Sequence, residues 1–142
     1  MDFDNVNKMV VVVKGVIINE GSMLIVQRAS DDEVGRETWE SVGGNVDFGE
    51  DLEQALAREV QEEVGLTVIV EKILYATTFK TDLRRQVVLL TYLCRSESRA
   101  VILSEEHSNF SWVTKEQARI RLTPEIISDF ERHSVFELSQ WD

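Results

Sequence analysis

The stretch Gly44 to Leu66 reads GNVDFGEDLEQALAREVQEEVGL, and the rest of the chain can be understood as a frame for it. A polar turn is followed by a run of good helix formers and then by a glycine. We predict a helix with Gly49 as its N-cap and Gly65 as its left-handed C-cap. Acidic residues follow Gly49 directly, where the helix dipole favours negative charge.

Apolar side chains lie on one side of this predicted helix, and carboxylates lie beside them. At roughly 100° per residue, four apolar residues fall on one stripe of the helix: Leu52, Leu56, Val60 and Val64. We expect this stripe to face the core. Glu59, Glu62 and Glu63 cluster at its margin, where each like-charge i,i+4 contact destabilises the helix by roughly 0.2–0.5 kcal/mol. A divalent cation would remove this conflict, and carboxylate oxygens suit Mg²⁺ or Mn²⁺. A solvated acidic helix face is the alternative, and helix geometry alone does not decide between the two.

The pattern as a whole resembles the Nudix box. The chain agrees with that signature at every defined position: Gly44 is followed after five residues by Glu50, and Glu50 is followed after seven residues by the run REVQEEVGL, Arg58 to Leu66. The resemblance is close over the motif and loose over the rest of the chain. It implies a Nudix hydrolase of the MutT-like kind, with an α/β/α sandwich fold, that cleaves a pyrophosphate linkage in a nucleoside diphosphate derivative with the help of Mg²⁺, for which Mn²⁺ could substitute.

The resemblance also assigns roles to individual residues. Our hypothesis is that Glu59 and Glu63 bind one or more Mg²⁺ together with the carbonyl of Gly44, and that Glu62 is a further ligand or a base acting through water. Gly43 precedes Gly44, and both glycines can bring backbone close to the metal. The resemblance implies that Arg58 is structural and pairs with Glu50 across the start of the helix.

Three further residues are candidates for the site. The general base is a box glutamate in some Nudix enzymes and comes from a later loop in others, which makes Glu106 a candidate base. Arg28 ends a predicted strand, at a position where Nudix proteins often direct a basic residue into the substrate cleft; a solvated strand end is the alternative. Trp39 could stack on a base of the substrate, or could belong to the core or its rim.

Composition bounds the partners and the location of the protein. At 142 residues we expect one domain covering residues 1–142, and 26 acidic against 15 basic residues give a net charge of −11. This charge argues against binding to a nucleic-acid polymer, which needs a basic surface. No apolar stretch has membrane-spanning length and the N-terminus does not resemble a signal peptide, so we expect a cytoplasmic protein with no membrane partner. The oligomeric state stays open, a homodimer included.

Strand and helix signals on both sides of the box predict an α/β fold with a mixed sheet between helices. The predicted strands are Met9–Ile18, Met23–Gln27, Trp39–Val42, a long or bent Thr67–Phe79, Gln86–Cys94 and an edge strand Phe110–Val113. Polar connections are predicted at Ala29–Thr38 and Lys80–Arg85, and further helices after Thr114 and from Pro124. The single cysteine, Cys94, lies in an apolar run and is expected to be buried.

The substrate is predicted by elimination. ADP-ribose hydrolases often carry a proline about fifteen residues after the box, where this chain has Thr81 and Asp82, and dinucleoside polyphosphate hydrolases often carry a tyrosine where it has Leu83. The prediction is therefore hydrolysis of a nucleoside triphosphate or its deoxy form to the monophosphate and pyrophosphate. An ADP-ribose or nucleoside diphosphate sugar pyrophosphatase is the alternative. A non-catalytic nucleotide-sensing module and a diphosphate isomerase on the same fold are alternatives of other classes.

Overall fold

The computed structural model describes residues 6–29 and 37–142 of the chain. Within these ranges the strands are β1 Lys8–Asn19, β2 Ser22–Arg28, β3 Trp39–Glu40, β4 Val42–Asn45, β5 Val68–Asp82, β6 Arg85–Ser96 and β7 His107–Val113. The helices are α1 Leu52–Val64, α2 Lys115–Arg121 and α3 Pro124–Arg132, and two short 3₁₀ turns follow at Val135–Glu137 and Ser139–Trp141. No helix within the described ranges is long and apolar enough to cross a membrane.

The strands form one mixed sheet with β1 at its centre. The order is β3-β2-β1-β6-β5, with β4 paired to β1 and β7 paired to β2. The β1–β6 pair is parallel and runs from the pairing of Lys8 with Arg85 to that of Ile18 with Arg95, whereas β2 and β4 are antiparallel to β1. A central strand must be apolar on both faces, which explains the valine and isoleucine run in β1.

Side chains alternate between the two faces of the sheet and form two core clusters. On β1, Ile17 belongs to the cluster beneath α1, and Val16 belongs to the cluster beneath α2 and α3. On β2, Leu24 and Ile25 divide in the same way. The sheet is therefore covered by helices on both faces, and the predicted α/β/α sandwich is confirmed.

Most predicted elements are present, but several boundaries were predicted wrongly. The one strand predicted at Trp39–Val42 is two strands, because β3 ends at Glu40 and pairs with β2, while β4 runs from Val42 to Asn45 and pairs with β1. The connection predicted at Lys80–Arg85 is only two residues long, because β5 continues to Asp82 and β6 begins at Arg85. These polar residues form ladder pairs at the exposed end of the sheet, where polarity does not exclude a strand. The edge strand predicted from Phe110 begins at His107, since it continues pairing with β2. Residues 30–36 of the predicted loop at Ala29–Thr38 lie outside the described ranges.

The caps of the helices follow the sequence closely, except at the start of α1. Its N-cap is Asp51, and the predicted N-cap Gly49 lies two residues earlier with a left-handed φ of +91°. Gly65 is the left-handed C-cap, as predicted. Thr114 caps α2 in a capping box with Gln117, and Pro124 occupies the first turn of α3.

Candidate active site

The packing of α1 determines where the box glutamates lie. Leu56, Val60 and Val64 are fully buried against the sheet, whereas Leu52 of the predicted stripe is 37% exposed and Ala55 is buried in its place. This orientation leaves the three glutamates in different environments. The Glu63 residue is only 6% exposed, while the side chains of Glu59 and Glu62 are 15% and 60% exposed.

The two glycines of β4 lie where neighbouring atoms leave no room for a side chain. A Cβ on Gly43 would overlap the carbonyl oxygen of Val13 in β1. A Cβ on Gly44 would overlap the carboxylate of Glu59. Neither glycine has a left-handed φ, so the close approach of β1 and α1 is the physical reason for both.

Arg58 connects the loop before α1 to the acidic face of the helix. The expected pair with Glu50 is present, with Nε donating to Oε2 at 2.7 Å and Nη2 to Oε1 at 2.8 Å. Nη2 also donates to the carbonyl of Asn45 at 3.1 Å. Nη1 donates to Glu59 Oε1 at 3.0 Å and to Glu62 Oε2 at 3.2 Å. One guanidinium therefore orients two of the three box glutamates.

Glu50 closes the turn that leads into α1. Its Oε1 accepts a hydrogen bond from the backbone amide of Asp47 at 2.8 Å, in addition to those from Arg58. The hydrogen bonds from Arg58 and from this amide lower the pKa of Glu50 to about 2. The carboxylate is thus ionised under ordinary conditions, which keeps the ion pair with Arg58 intact.

Glu63 is a buried acid among other acids. Burial raises the pKa of its carboxyl to about 8, Lys14 opposes this rise, and the nearby carboxylates of Glu106 and Glu59 add to it. Within the described residues Glu63 Oε2 has no hydrogen-bond partner. Burial likewise raises the pKa of Glu59, against the opposing hydrogen bond from Arg58. The loop candidate Glu106 therefore lies beside the box glutamates.

The opposite wall of the same cleft carries positive charge around a second carboxylate. Glu40 Oε2 lies 3.3 Å from Arg28 Nε and 3.3 Å from His107 Nε2, and Glu40 Oε1 lies 3.5 Å from Lys14 Nζ. Burial alone would raise the pKa of Glu40, but the His107 hydrogen bond and the charges of Lys14 and Arg28 outweigh it and lower this pKa to about 2. Arg28 lines the cleft, as expected for a residue that faces the substrate.

Trp39 is placed differently from Arg28. Its ring packs against the core cluster beneath α2 and α3, with the guanidinium of Arg121 5.7 Å from the ring centroid. Trp39 is not among the described residues that line the cleft. This position favours the core-rim alternative over stacking on a substrate base.

Comparison with known proteins identifies the family of this chain. Residues 8–133 match the family model described as the NUDIX domain. The chain belongs to the Nudix family. Similar curated proteins include nucleoside triphosphatase NudI of Escherichia fergusonii, 35% identical over 109 residues that cover 69% of this chain and 77% of that protein. Nucleoside triphosphatase NudI of Escherichia coli is 33% identical over 112 residues, 71% of this chain and 79% of that protein.

Solved structures agree on the Nudix fold. The MutT protein from Methanosarcina mazei Go1 superposes with a TM-score of 0.80 and 27% identity, covering 92% of this chain and 96% of that one. The ORF135 protein of Escherichia coli superposes with a TM-score of 0.77 and 26% identity, covering 94% of both chains. The chain is a Nudix-type pyrophosphohydrolase, and Nudix hydrolases generally need a divalent metal.

The Nudix box residues suit a divalent cation chemically, although their side chains do not surround a common point in this structure. Over residues 6–29 and 37–142, no three His, Cys, Asp or Glu side chains are grouped closely enough to hold a metal ion. The physical reason is that Arg58 draws Glu59 and Glu62 to its own Nη1. The unpartnered Oε2 of buried Glu63 and the contact of the Glu59 carboxylate with Gly44 still provide hard oxygen donors of the kind Mg²⁺ binds.

The charged cluster in this Nudix cleft includes residues that were not predicted from the sequence. Glu40 and Lys14 lie on β3 and β1, and they line the cleft together with Arg28. A signal for Lys14 was available, because it interrupts the valine-rich run MVVVVKGVII. Glu40 gave no comparable signal, since a single glutamate in a short strand is usually solvated.

Proposed function

We propose that this Nudix hydrolase converts a nucleoside triphosphate, or its deoxy form, to the monophosphate and pyrophosphate. The observation that carries the proposal is Glu63, a buried carboxyl with a raised pKa and an unpartnered oxygen, next to the carboxylates of Glu59 and Glu106. A site that buries acids against one another needs positive charge, which a divalent cation would provide, and such a cation commonly shares its coordination shell with substrate phosphates. The names of the two NudI relatives support a triphosphate as the substrate class.

Glu59, Glu63 and the Gly44 carbonyl are the proposed Mg²⁺ ligands, and Glu62 is a further ligand. Mn²⁺ could substitute, because the donors are all hard oxygens. Bound there, the ion would offset charge on the phosphates and make water a better nucleophile. Arg58 donates hydrogen bonds to Glu59 and Glu62 and so orients their carboxylates, as the outer-shell partners of metal ligands commonly do.

Glu106 is the proposed general base. It lies beside Glu63 and Glu59 but projects from the loop before β7, so it approaches the acids from outside α1. The carboxylate of Glu106 takes the proton of the attacking water, the water oxygen bonds to phosphorus, and the bond from phosphorus to the pyrophosphate oxygen breaks. Glu62 is the other candidate base, but its carboxylate already accepts a hydrogen bond from Arg58.

The remainder of the cleft suits a nucleoside. It continues over the surface of β5 and β6 beneath α3, where Phe79, Val87 and Leu89 offer apolar contacts and Asp129 a hydrogen-bond acceptor. Phe79 is 47% exposed, so its ring is available to a base. Arg28, at the opposite end, is the proposed contact for phosphate oxygens.

An isomerase function finds no support in the position of the cysteine. Cys94 is fully buried in the core cluster beneath α1, and burial raises the pKa of its thiol to about 12. A thiol in this environment does not ionise under ordinary conditions.

The test is chromatographic analysis of the products formed with Mg²⁺ from a panel of nucleoside triphosphates, ADP-ribose and nucleoside diphosphate sugars, with Glu63→Gln as the inactive control. A triphosphate yields the monophosphate and pyrophosphate, whereas ADP-ribose or a nucleotide sugar yields the monophosphate and a sugar phosphate. We expect turnover of one or more triphosphates and none by the control. Cleavage confined to ADP-ribose or a nucleotide sugar would establish the alternative substrate class. Nucleotide binding without any turnover would establish the sensing module instead.

A further inference from the structure

Lys14 is a charged residue in the middle of the central strand. It pairs with Gly43 of β4 on one side and with Thr91 of β6 on the other. Its neighbour Val13 faces the core beneath α1, whereas Lys14 lines the cleft with a side chain that is 22% exposed. An ammonium group loses much of its hydration at such a position, and an apolar residue would satisfy the strand equally well.

The protein contacts of Lys14 do not use the whole ammonium group. Nζ donates to the carbonyl of Ser41 at 3.2 Å and to Glu40 Oε1 at 3.5 Å. An ammonium group has three protons to donate. Within the described ranges, these two contacts use two of the three protons. Glu40 does not depend on Lys14 for neutralisation, because Arg28 and His107 already contact its other oxygen.

The charge of Lys14 extends across the cleft to the acidic helix. Lys14 opposes the rise in the pKa of Glu63, so its ammonium lies within electrostatic reach of that carboxyl. Lys14 thus belongs to the cluster around Glu40 and also acts electrostatically on the box glutamate Glu63. Lys14, Glu59 and Glu63 line one cleft, so a phosphate chain held near the glutamates is a charged group that Nζ could bind.

We propose that Lys14 is a substrate-binding residue that donates a charged hydrogen bond, from the sheet side of the cleft, to a pyrophosphate unit of the substrate. This inference rests on the proposed function, since it takes a nucleotide polyphosphate as the ligand. Hydrogen bonds between an ammonium and phosphate oxygens are short and strong, and lysine serves widely as a point charge for phosphate. Glu40 and the Ser41 carbonyl hold the lysine ready by fixing two of its donors.

Calorimetric titration with inorganic pyrophosphate in the presence of Mg²⁺ tests this assignment without any turnover. The Lys14→Gln protein should bind pyrophosphate roughly 10-fold to 100-fold more weakly than the wild type, as expected when one charged hydrogen bond is removed. The control is Lys72→Gln, because Lys72 is exposed on β5 and is not among the described residues lining the cleft. Lys72→Gln should bind like the wild type. Equal affinity of the folded Lys14→Gln and wild-type proteins would overturn the proposal, and so would a wild type that does not bind pyrophosphate.

A second measurement uses the wild-type chain and does not depend on the variant folding. Lysines are acetylated briefly with acetic anhydride, with and without saturating pyrophosphate and Mg²⁺, and modification of each lysine is read by mass spectrometry. We expect pyrophosphate to reduce labelling of Lys14 several-fold and to leave Lys72 unchanged. A role confined to holding Ser41 and Glu40 would leave the labelling of Lys14 unchanged, and that result would overturn the proposal.

The two proposals can fail separately. If no triphosphate in the substrate panel is hydrolysed but pyrophosphate still protects Lys14, the proposed function is wrong and the phosphate contact stands. If triphosphates are hydrolysed and neither affinity nor labelling depends on Lys14, the function stands and the contact is wrong.

Discussion

Arg58 binds Glu50 through two parallel hydrogen bonds, Nε to Oε2 at 2.7 Å and Nη2 to Oε1 at 2.8 Å. The pair crosses the start of α1, because Glu50 lies before the N-cap and Arg58 lies two turns into the helix. The same guanidinium reaches Glu59 and Glu62 through Nη1. The loop that carries Gly44 and the acids of the helix are therefore held in one arrangement by a single side chain.

We expect Arg58→Lys to reduce activity far more than stability. A lysine cannot reproduce the planar, two-point contact with Glu50 and reach Glu59 at the same time. Loss of such an outer-shell partner should lower kcat/KM about 10-fold to 100-fold. The melting temperature should fall by only a few degrees, since solvent screens exposed ion pairs. Steady-state kinetics and thermal melts measure both effects.

The matched control for Arg58 is Arg95→Lys. Arg95 also contacts two glutamates, Glu71 and Glu97, but does so on the surface of the sheet away from the cleft. Its replacement should leave kcat/KM unchanged. If Arg58→Lys retained full activity, the box acids would not depend on Arg58 for their orientation.

Gly44→Ala should impair catalysis through a direct steric conflict. The added Cβ would overlap the Glu59 carboxylate, which would have to turn away from the cleft. Because a displacement of about 1 Å at a catalytic group can lower the rate about 100-fold, we expect a loss of that order. Unfolding in urea should show little change, since the flexible Glu59 side chain can move aside. The measurements are kcat and the urea midpoint.

Gly49→Ala provides the contrasting control. No atom lies within 4 Å of a Cβ built on Gly49, so there is no clash, but its φ of +91° disfavours any L side chain. We expect destabilisation of roughly 1 kcal/mol with kcat largely retained. If Gly44→Ala instead destabilised the protein and left kcat unchanged, as expected for Gly49→Ala, contact with Glu59 would not be the reason for the glycine at position 44.

Glu63→Gln should abolish most activity and stabilise the metal-free protein at high pH. The folded-state pKa of Glu63 is about 8, above the ordinary 4.5, so the protonated form is the one the fold favours. Its contribution to stability is complete below pH 4.5 and is lost as the pH rises through 8, at roughly 1.4 kcal/mol per unit of pKa shift. Glutamine does not ionise. Its advantage in melting temperature over the wild type, measured in a chelator, should therefore grow from pH 5 to pH 9.

The control for Glu63→Gln is Glu62→Gln, whose side chain is 60% exposed. Its melting temperature should follow that of the wild type across the same pH range. A Glu63→Gln protein that retained most of its turnover would remove Glu63 from the proposed metal ligands. A pH-independent difference in melting temperature would show that Glu63 is not held as a buried acid.

Much of the fold could be predicted from local physical chemistry. Apolar runs predict strands β1, β2 and β6, and three residues mark helix ends: Gly65, Thr114 and Pro124. Each of these signals depends only on neighbours within a few residues, so the sequence reveals it directly. The start of α1 was misjudged because Glu50 is drawn out of the helix by Arg58, eight residues later, and by the amide of Asp47. Such a tertiary contact has no signature in the local pattern.

The grouping of candidate site residues could be predicted where they lie on one helix, but not where they come from several strands. Helical spacing places Glu59 and Glu63 on one side of α1, and the structure agrees. The grouping of Glu40 with Lys14, Arg28 and His107 brings together β3, β1, β2 and β7. It depends on strand order and register, which hydrophobic patterning does not specify.

Glu40→Gln should destabilise the protein at neutral pH and lose this effect in acid. Glu40 has a folded-state pKa of about 2, below the ordinary 4.5. Its contribution is therefore present above pH 4.5 and is lost as the pH falls through 2, which corresponds to roughly 3 kcal/mol at pH 7. Glutamine keeps the shape but removes the charge that Lys14, Arg28 and His107 surround. Urea unfolding at pH 7, 5 and 3 should show the gap between variant and wild type narrowing as the pH falls.

The control for Glu40 is Glu105→Gln, an exposed acid that lines the same cleft. Its unfolding free energy should track that of the wild type at each pH, because no buried cluster depends on its charge. A gap for Glu40→Gln that stayed constant from pH 7 to pH 3 would mean that a lost packing contact, and not a lost charge, destabilises the variant. The KM for the nucleotide adds an independent readout: it should rise for Glu40→Gln, since Lys14 and Arg28 lose the carboxylate that holds them at the cleft.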